Sequence, residues 1–424
     1  MTLIILLFFF LLFNVDKQIL SLVANMLYDE LGFTDTQLGL LGGFVYSIPY
    51  SIGVFVIGWL VDRFSRRAIL FTGVLFWSLA AAGSGLATSF ATMAMARAGV
   101  GLGEAALMPA ALPLIAAVFP RDKVSGAIGF FYVGSNLGAI IANVLGGVTI
   151  DAFVSMGNID VPILGTLEPW QAVFVATGLP GVVFAFLAWG LAKTKTTGKT
   201  DADMAVATRL ETLGEYIRRH WLFLATFTVG TASITLCSYT LISWAAPYYG
   251  RTYDWNHATI GLIAAMGLGV GVVGNPLWGM LADRLRRRGH IDGVYRVFIP
   301  LVLFGIPLAA IAFLTRNPVI SVVAFILSNF AINSQGSTFS ALQLASPPHL
   351  RGRLTGIKLV VQGVVGLGIG PVLAGFFAEH VFKSRDMLGP AILCSISLAA
   401  VTASGLLALG RTSYIRAVRE QEPA

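Results

Sequence analysis

GWLVDRFSRR at 58–67 returns as GMLADRLRRR at 279–288. Gly58 and Gly279, Leu60 and Leu281, Asp62 and Asp283, Arg63 and Arg284, Arg66 and Arg287, and Arg67 and Arg288 align without a gap. Each copy closes the second long apolar segment of its own half of the chain, and a basic turn repeated at that place implies two repeated membrane bundles. Composition agrees: of 424 residues, 56% are hydrophobic and 12% charged, with a mean hydropathy of +0.80. A soluble fold of this size could not hide that much apolar surface, so lipid has to be the solvent.

Working outward from the repeat, twelve apolar stretches reach membrane-spanning length: 2–27, 36–60, 68–88, 91–118, 125–150, 171–192, 221–248, 257–281, 295–315, 318–345, 354–380 and 388–410. Helices are expected throughout, because a helix satisfies its own backbone in hydrocarbon. The fold class is therefore an all-α polytopic membrane protein of two pseudo-symmetric six-helix bundles. The expected domains are an N-terminal bundle over 1–192, a cytoplasmic linker over 193–220, a C-terminal bundle over 221–410 and a cytoplasmic tail over 411–424. The later part of the linker, about 207–219, reads as a surface helix.

Orientation follows from the bases. Of 28 Lys and Arg, 21 fall in the loops leaving even-numbered spans and in the C-terminal tail. Arg251, Arg316, Lys383 and Arg385 fall on the other side, where 28–36 and 151–170 carry acids and no bases. The positive-inside rule puts both termini and the linker in the cytoplasm, and the lack of a eukaryotic-looking tail or a long loop on the other side favours a bacterial inner membrane. The net charge of +7 and pI near 9.5 are then topology, and no nucleic-acid partner is implied. The first stretch lacks a basic n-region and contains Asp16 and Lys17, so it reads as a retained helix and not a signal peptide. The chain begins almost inside the membrane, and a short cytoplasmic tail ahead of it is expected. Cys237 and Cys394 fall within spans and imply neither disulfide nor metal.

Three charges stand at membrane depth: Asp16 in the first span, and Arg97 and Glu104 in the fourth. Each costs about 2.5–3.5 kcal/mol at the bilayer centre, so wet surroundings and partners are required. Arg97 and Glu104 lie seven residues apart, on one helix face and roughly 10.5 Å apart along the axis. Depth counting allows an Asp16–Arg97 ion pair with Glu104 nearby, which would act as a proton switch or else as a fixed structural tie. Lys17 points about 100° away from Asp16 and Lys358 is expected to snorkel to the cytoplasmic surface; neither is expected to form a site.

The repeated loop has expected mechanics of its own. Gly58 and Gly279 would permit close helix approach, while Arg63, Arg66, Arg67, Arg284, Arg287 and Arg288 hold the turns at the interface. Asp62 would face the start of the eleventh helix, and Asp283 that of the fifth near Ser125, closing the cytoplasmic side. Glycine and proline gather in RAGVGLGEAALMPAALPLIAAVFP, SGAIGFFYVGSNLGAIIANVLGG and GIKLVVQGVVGLGIGPVLAG, where helices are expected to pack closely and bend.

Polar residues in otherwise apolar stretches give a possible cavity lining: Tyr46, Tyr50, Asn136, Trp244, Asn329, Asn333, Gln335 and Gln362. Nothing enzymatic competes. The five histidines sit at span ends or in loops without metal-ligand spacing, and GVGLGEAA follows no strand, so a dinucleotide site fails. No cofactor and no ATP site are expected; an ion gradient would drive transport, a membrane potential contributing roughly 2.3 kcal/mol per proton per 100 mV.

Two halves with GxLxDRxxRR after the second and eighth spans resemble the major facilitator superfamily over essentially the whole chain. NVDKQILS at 14–21, RAGVGLGEA at 97–105 and SWAAPYYGR at 243–251 resemble its spinster branch, in bacterial form. That resemblance implies alternating access and a proton-linked carrier of lysophospholipids, sphingosine-type lipids or related amphiphiles, with coupling at Asp16, Arg97 and Glu104. Lys17 stands where that branch usually has Arg. The run from Arg97 through Pro109 and Ala110 also resembles the anion:cation symporter branch, which implies a proton:organic-anion symporter. A non-transporting membrane lipid sensor on a transporter scaffold is the alternative of another class. Expected partners are protons, membrane lipids and one small substrate, with the protein working as a monomer.

Overall fold

Apolar runs that cannot hydrogen-bond to lipid close their backbone bonds internally, and the computed structural model is accordingly helical along nearly its whole length. The structure describes residues 1–61, 63–120, 123–162, 164–192, 212–333 and 336–421. Among these, eleven helices are long and apolar enough to cross a membrane: Thr2–Leu22, Asp35–Val61, Arg66–Ser84, Phe90–Val118, Gly126–Met156, Pro169–Gly190, Leu213–Tyr253, His257–Arg287, Gly293–Leu314, Arg351–Val381 and Arg385–Arg419. They correspond to spans one to nine, eleven and twelve. The tenth is divided into Pro318–Ile332 and Gly336–Ala345, because the helix ends at Asn333, whose ψ of 80° cannot continue it, within the polar run NSQGS. The chain is a multi-pass integral membrane protein.

Several spans are broken where the sequence is weak. A turn at Ala105 and Ala106, just ahead of Pro109, separates Phe90–Glu104 from Leu107–Val118, and Gly43 (φ −103°, ψ −108°) separates Asp35–Gly42 from Phe44–Val61. The eleventh span widens into π-helix over Gln362–Ile369, QGVVGLGI, where three glycines let the wider turn form without Cβ crowding. The fifth span differs from expectation: Val124–Met156 is one continuous helix. Its glycines serve packing, since a methyl on Gly138 would press on the backbone of Leu11 and one on Gly147 would collide with the His257 carbonyl. Of the expected surface helix, 207–211 lies outside the described residues, and Leu213 onward is continuous with span seven through a kink at His220 (φ −114°, ψ 23°).

The chain forms two compact units. The first comprises the described residues of Met1–Thr197 with Ile242–Gly269 and Pro371–Leu388. Its core is aromatic and aliphatic: Phe9, Phe10, Trp77, Leu107, Leu114 and Phe131 are buried, and Phe10 stacks on Phe131 at 4.6 Å. The C-terminal end of span seven, the N-terminal part of span eight and the C-terminal part of span eleven belong to it; Ser21 Oγ donates to the Ser243 carbonyl at 2.8 Å, and Trp244 Nε1 to the Pro371 carbonyl at 2.8 Å. The second unit comprises the described residues of Gly198–Leu241, Val270–Gly370 and Gly389–Ala424. Phe223, Phe227, Tyr295 and Tyr414 form its aromatic centre. Asp292 there accepts from Arg296 Nε at 3.1 Å and from Arg411. Cys237 is buried and donates to the Ile396 carbonyl at 3.6 Å; both cysteines are free.

Candidate functional site

The charges predicted at membrane depth are buried together in the first unit. Asp16 is 4%, Arg97 1% and Glu104 0% exposed. Helix one reaches them through the polar run NVDK, anchored by Asn14 Nδ2, which donates to the Phe10 carbonyl at 2.8 Å and to Ser135 Oγ at 3.3 Å. Helix four brings Arg97 and Glu104 on one face because Phe90–Glu104 is unbroken between them. Gly101 and Gly103 allow that helix to lie against the Tyr46 carbonyl and the backbone of Trp77.

The pairing differs from expectation. No ion pair joins Asp16 to Arg97 among the described residues, and no hydrogen bond reaches Asp16 Oδ1 or Arg97 Nε and Nη1. Instead Lys17, not expected to form a site, places Nζ 3.6 Å from Glu104 Oε2, and the Tyr46 hydroxyl donates to that same oxygen. The 100° offset that takes Lys17 away from Asp16 is what turns it toward helix four. Its ammonium lies 3.6 Å from the centre of the Phe13 ring and 4.9 Å from that of Tyr46, while Tyr46 and Tyr50 stack at 5.7 Å. Ring faces carry negative charge, so they hold a cation in place of water. Two acids and two bases thus share one buried site, with donors and acceptors on Asp16, Arg97 and Glu104 Oε1 left for a proton, water or ligand.

Of the remaining predicted lining, Tyr46 and Tyr50 join this cluster. Asn136 is exposed and bonds to its own helix at the Tyr132 carbonyl, and Trp244 is buried against Pro371. In the second unit Asn329 bonds back to the Phe325 carbonyl, Asn333 donates to Asn329 Oδ1 at 3.3 Å, and Gln362 donates to Thr235 Oγ1 at 3.1 Å. Gln335 and Asp62 lie outside the described residues. In the repeated loop Arg63 packs on the Trp59 ring at 3.9 Å and Arg66 Nη1 reaches the Pro113 carbonyl at 3.5 Å. Gly58 is a correction: a methyl there would meet nothing within 4 Å, so close helix approach is not its role. Gly279, Asp283 and Arg286 line a small recess of the second unit, and Asp283, Arg284, Arg287 and Arg288 are exposed.

Sequence reasoning missed a set of bonds on the side away from the basic loops. Arg251 grips Asp35 with two hydrogen bonds of 2.6 and 2.9 Å and donates Nε to Asn25 Oδ1 at 2.7 Å. Arg385 grips Asp29 at 2.7 and 3.1 Å. Asp151 accepts from the backbone N–H groups of His257 and Ala258 at 2.9 and 2.8 Å, capping the start of span eight. The signal was present: Arg251 and Arg385 are minority bases facing acid-bearing loops. Nearby, burial and the neighbouring Glu168 carboxylate push the Glu30 carboxyl up to about 7.

A family model described as the Major Facilitator Superfamily matches residues 3–371. A "MFS-type efflux pump" of Mycolicibacterium smegmatis is 24% identical, covering 96% of this chain and 91% of that one. A "probable L-galactonate transporter" of Escherichia coli is 25% identical, covering 99% and 89%. Among solved structures, a bacterial homologue of the human lysosomal transporter spinster, in an inward-facing and unoccupied conformation, superposes with a TM-score of 0.77 at 22% identity, covering 99% of this chain and 96% of that one.

Proposed function

Since the chain belongs to the Major Facilitator Superfamily and is a transporter and not an enzyme, we propose that it is a proton-coupled carrier whose cargo is a small organic anion. The observation that carries the coupling is the buried cluster of Asp16, Lys17, Tyr46, Arg97 and Glu104. With both carboxylates ionised the cluster is formally neutral. One proton on either acid leaves it with a net positive charge, and an organic anion entering alongside restores neutrality in a low-dielectric site where an unpaired charge is costly. Proton and anion then cross together. Lys17 releases its hold on a protonated Glu104 and, with Arg97, becomes available to the anion, which couples loading to the bundle's motion without any cofactor.

The organic-anion reading gains support from the L-galactonate transporter among the relatives. A lipid-like amphiphile is the second reading, favoured by the apolar shelf of Phe13, Tyr46 and Tyr50 beside the charges, on which an acyl or sphingoid chain would lie. Protons would enter from the side of the acidic loops, with both termini cytoplasmic.

Proteoliposomes carrying an imposed pH gradient test this. Labelled galactonate should accumulate against its gradient in wild type, while Glu104→Gln and Asp16→Asn should equilibrate it without accumulation. Proton-driven accumulation by both variants at the wild-type level overturns the coupling, and wild-type accumulation of lysophospholipid without galactonate replaces the cargo.

A further inference from the structure

Lys358 was expected to snorkel to the surface, yet it is 0% exposed. Its ammonium donates to Thr338 Oγ1 at 3.0 Å and lies 3.6 Å from the centre of the Phe339 ring. Among the described residues no carboxylate pairs with it; the ion pairs of the second unit fall to His220, Arg296 and Arg411. A buried charge kept for structure alone is normally matched by an opposite one, because leaving it unmatched costs more than replacing it by an apolar side chain.

The surroundings point to what matches it. Gln362 stands four residues on, one turn along the same helix face, with its amide donating to Thr235 Oγ1 at 3.1 Å. Gln362 also opens the π-helical stretch Gln362–Ile369, and such wide turns gather at functional sites. Lys358 lies seven residues into Arg351–Val361, roughly 10 Å along the helix axis from its start. Ammonium, amide and two hydroxyls, with an aromatic ring beside them and no acid, are the complement of an oxyanion carried on a hydroxylated or apolar frame.

We infer that Lys358, assisted by Thr338 and Gln362, anchors the anionic group of the transported molecule, a carboxylate, sulfonate or phosphate. This rests on the anionic cargo proposed above and names Lys358 as a further cation that holds its charge.

The test is equilibrium binding to the purified full-length protein, with galactonate, its neutral counterpart galactitol and lysophosphatidylglycerol as probes. Wild type should prefer galactonate to galactitol. Lys358→Met should weaken galactonate by about tenfold or more, leave galactitol unchanged and melt no lower than wild type, since it removes a buried charge; Lys358→Arg should retain part of the preference. Undiminished galactonate affinity in Lys358→Met overturns the anchor while leaving the cargo reading standing. If wild type ignores galactonate but binds the lysolipid, and Lys358→Met loses it, the anchor holds and the phosphate is its ligand. Failure of wild type to bind either anion overturns the anionic cargo and the anchor with it.

Discussion

Arg251→Met should release the contacts on the side away from the basic loops. Asp35 is 5% exposed and takes two hydrogen bonds from Arg251, whose side chain is 8% exposed and also holds Asn25. Removing one partner of a buried pair costs about 3–5 kcal/mol, because the other charge stays behind. Asp35 opens the helix Asp35–Gly42, and the partial positive charge of that helix start returns about 0.3–1 kcal/mol to a stranded carboxylate. The lower end, about 3 kcal/mol, is therefore expected, roughly a hundredfold in population at about 1.4 kcal/mol per decade. The penalty falls on the arrangement that joins the start of span two to the end of span seven. Spin labels at Glu30, just ahead of span two, and at Thr252, both exposed, report it by pulsed dipolar spectroscopy. Wild type should give a short-distance population and Arg251→Met a dominant longer one. Asp35→Asn with Arg251→Met should recover part of the loss, with a coupling of about 1–3 kcal/mol. An unchanged distance distribution in Arg251→Met, together with additive single effects, would refute the reasoning.

Tyr46→Phe removes a hydrogen bond to a carboxylate, worth about 1.5–3 kcal/mol, and should slow gradient-driven uptake by about tenfold to a hundredfold with expression unchanged; uptake at the wild-type rate would remove Tyr46 from the site. Gly147→Ala puts a methyl into the His257 carbonyl, and overpacking of about 1–3 kcal/mol should lengthen the distance between spin labels at the exposed Asn158 and Thr252. Gly58→Ala, which meets nothing within 4 Å, should instead leave that distance alone and raise the melting temperature through its helix preference of about 0.5–1 kcal/mol. Burial pushes the Asp292 carboxyl up, but hydrogen bonds from Arg296 and Arg411 outweigh it and hold the group below its ordinary value of 3.8. Its stabilisation is thus complete above that value and lost as pH falls through the lower folded one, so acid melts should steepen below about pH 4 in wild type and flatten in Asp292→Asn.

What could be read from the chain was whatever depends on position along it. Asp16, Arg97 and Glu104 stood out because charge at membrane depth is costly wherever the helix faces, and all three are buried. Their partners could not be read, since pairing depends on how one helix is rotated against another. A rotation of about 100° decides whether Asp16 or Lys17 meets helix four, and the sequence carries no marker of it. Lys358 was misjudged for a related reason: a long side chain can run to the interface or stay inside, and Thr338 and Phe339 keep it inside. The division of span ten follows from NSQGS, visible but hard to weigh against apolar flanks that continue on both sides. Arg251 and Arg385 were noted for topology alone, although a base on an acid-rich face already asks for a partner.

The reach of one of those pairs bears on how the protein is made. Asp35 and Arg251 are 216 residues apart, and at about 5–20 residues per second a ribosome needs roughly 10–40 s to go from one to the other. During that interval the first six spans have their own core, but Asp35 waits with its guanidinium unmade, and Asp29 waits longer still for Arg385. The unit that starts the chain is finished only when residues 371–388 arrive. Nascent chains halted before Arg251 should therefore hold span two loosely at its Asp35 end, and protease access there should close in a step as span seven emerges.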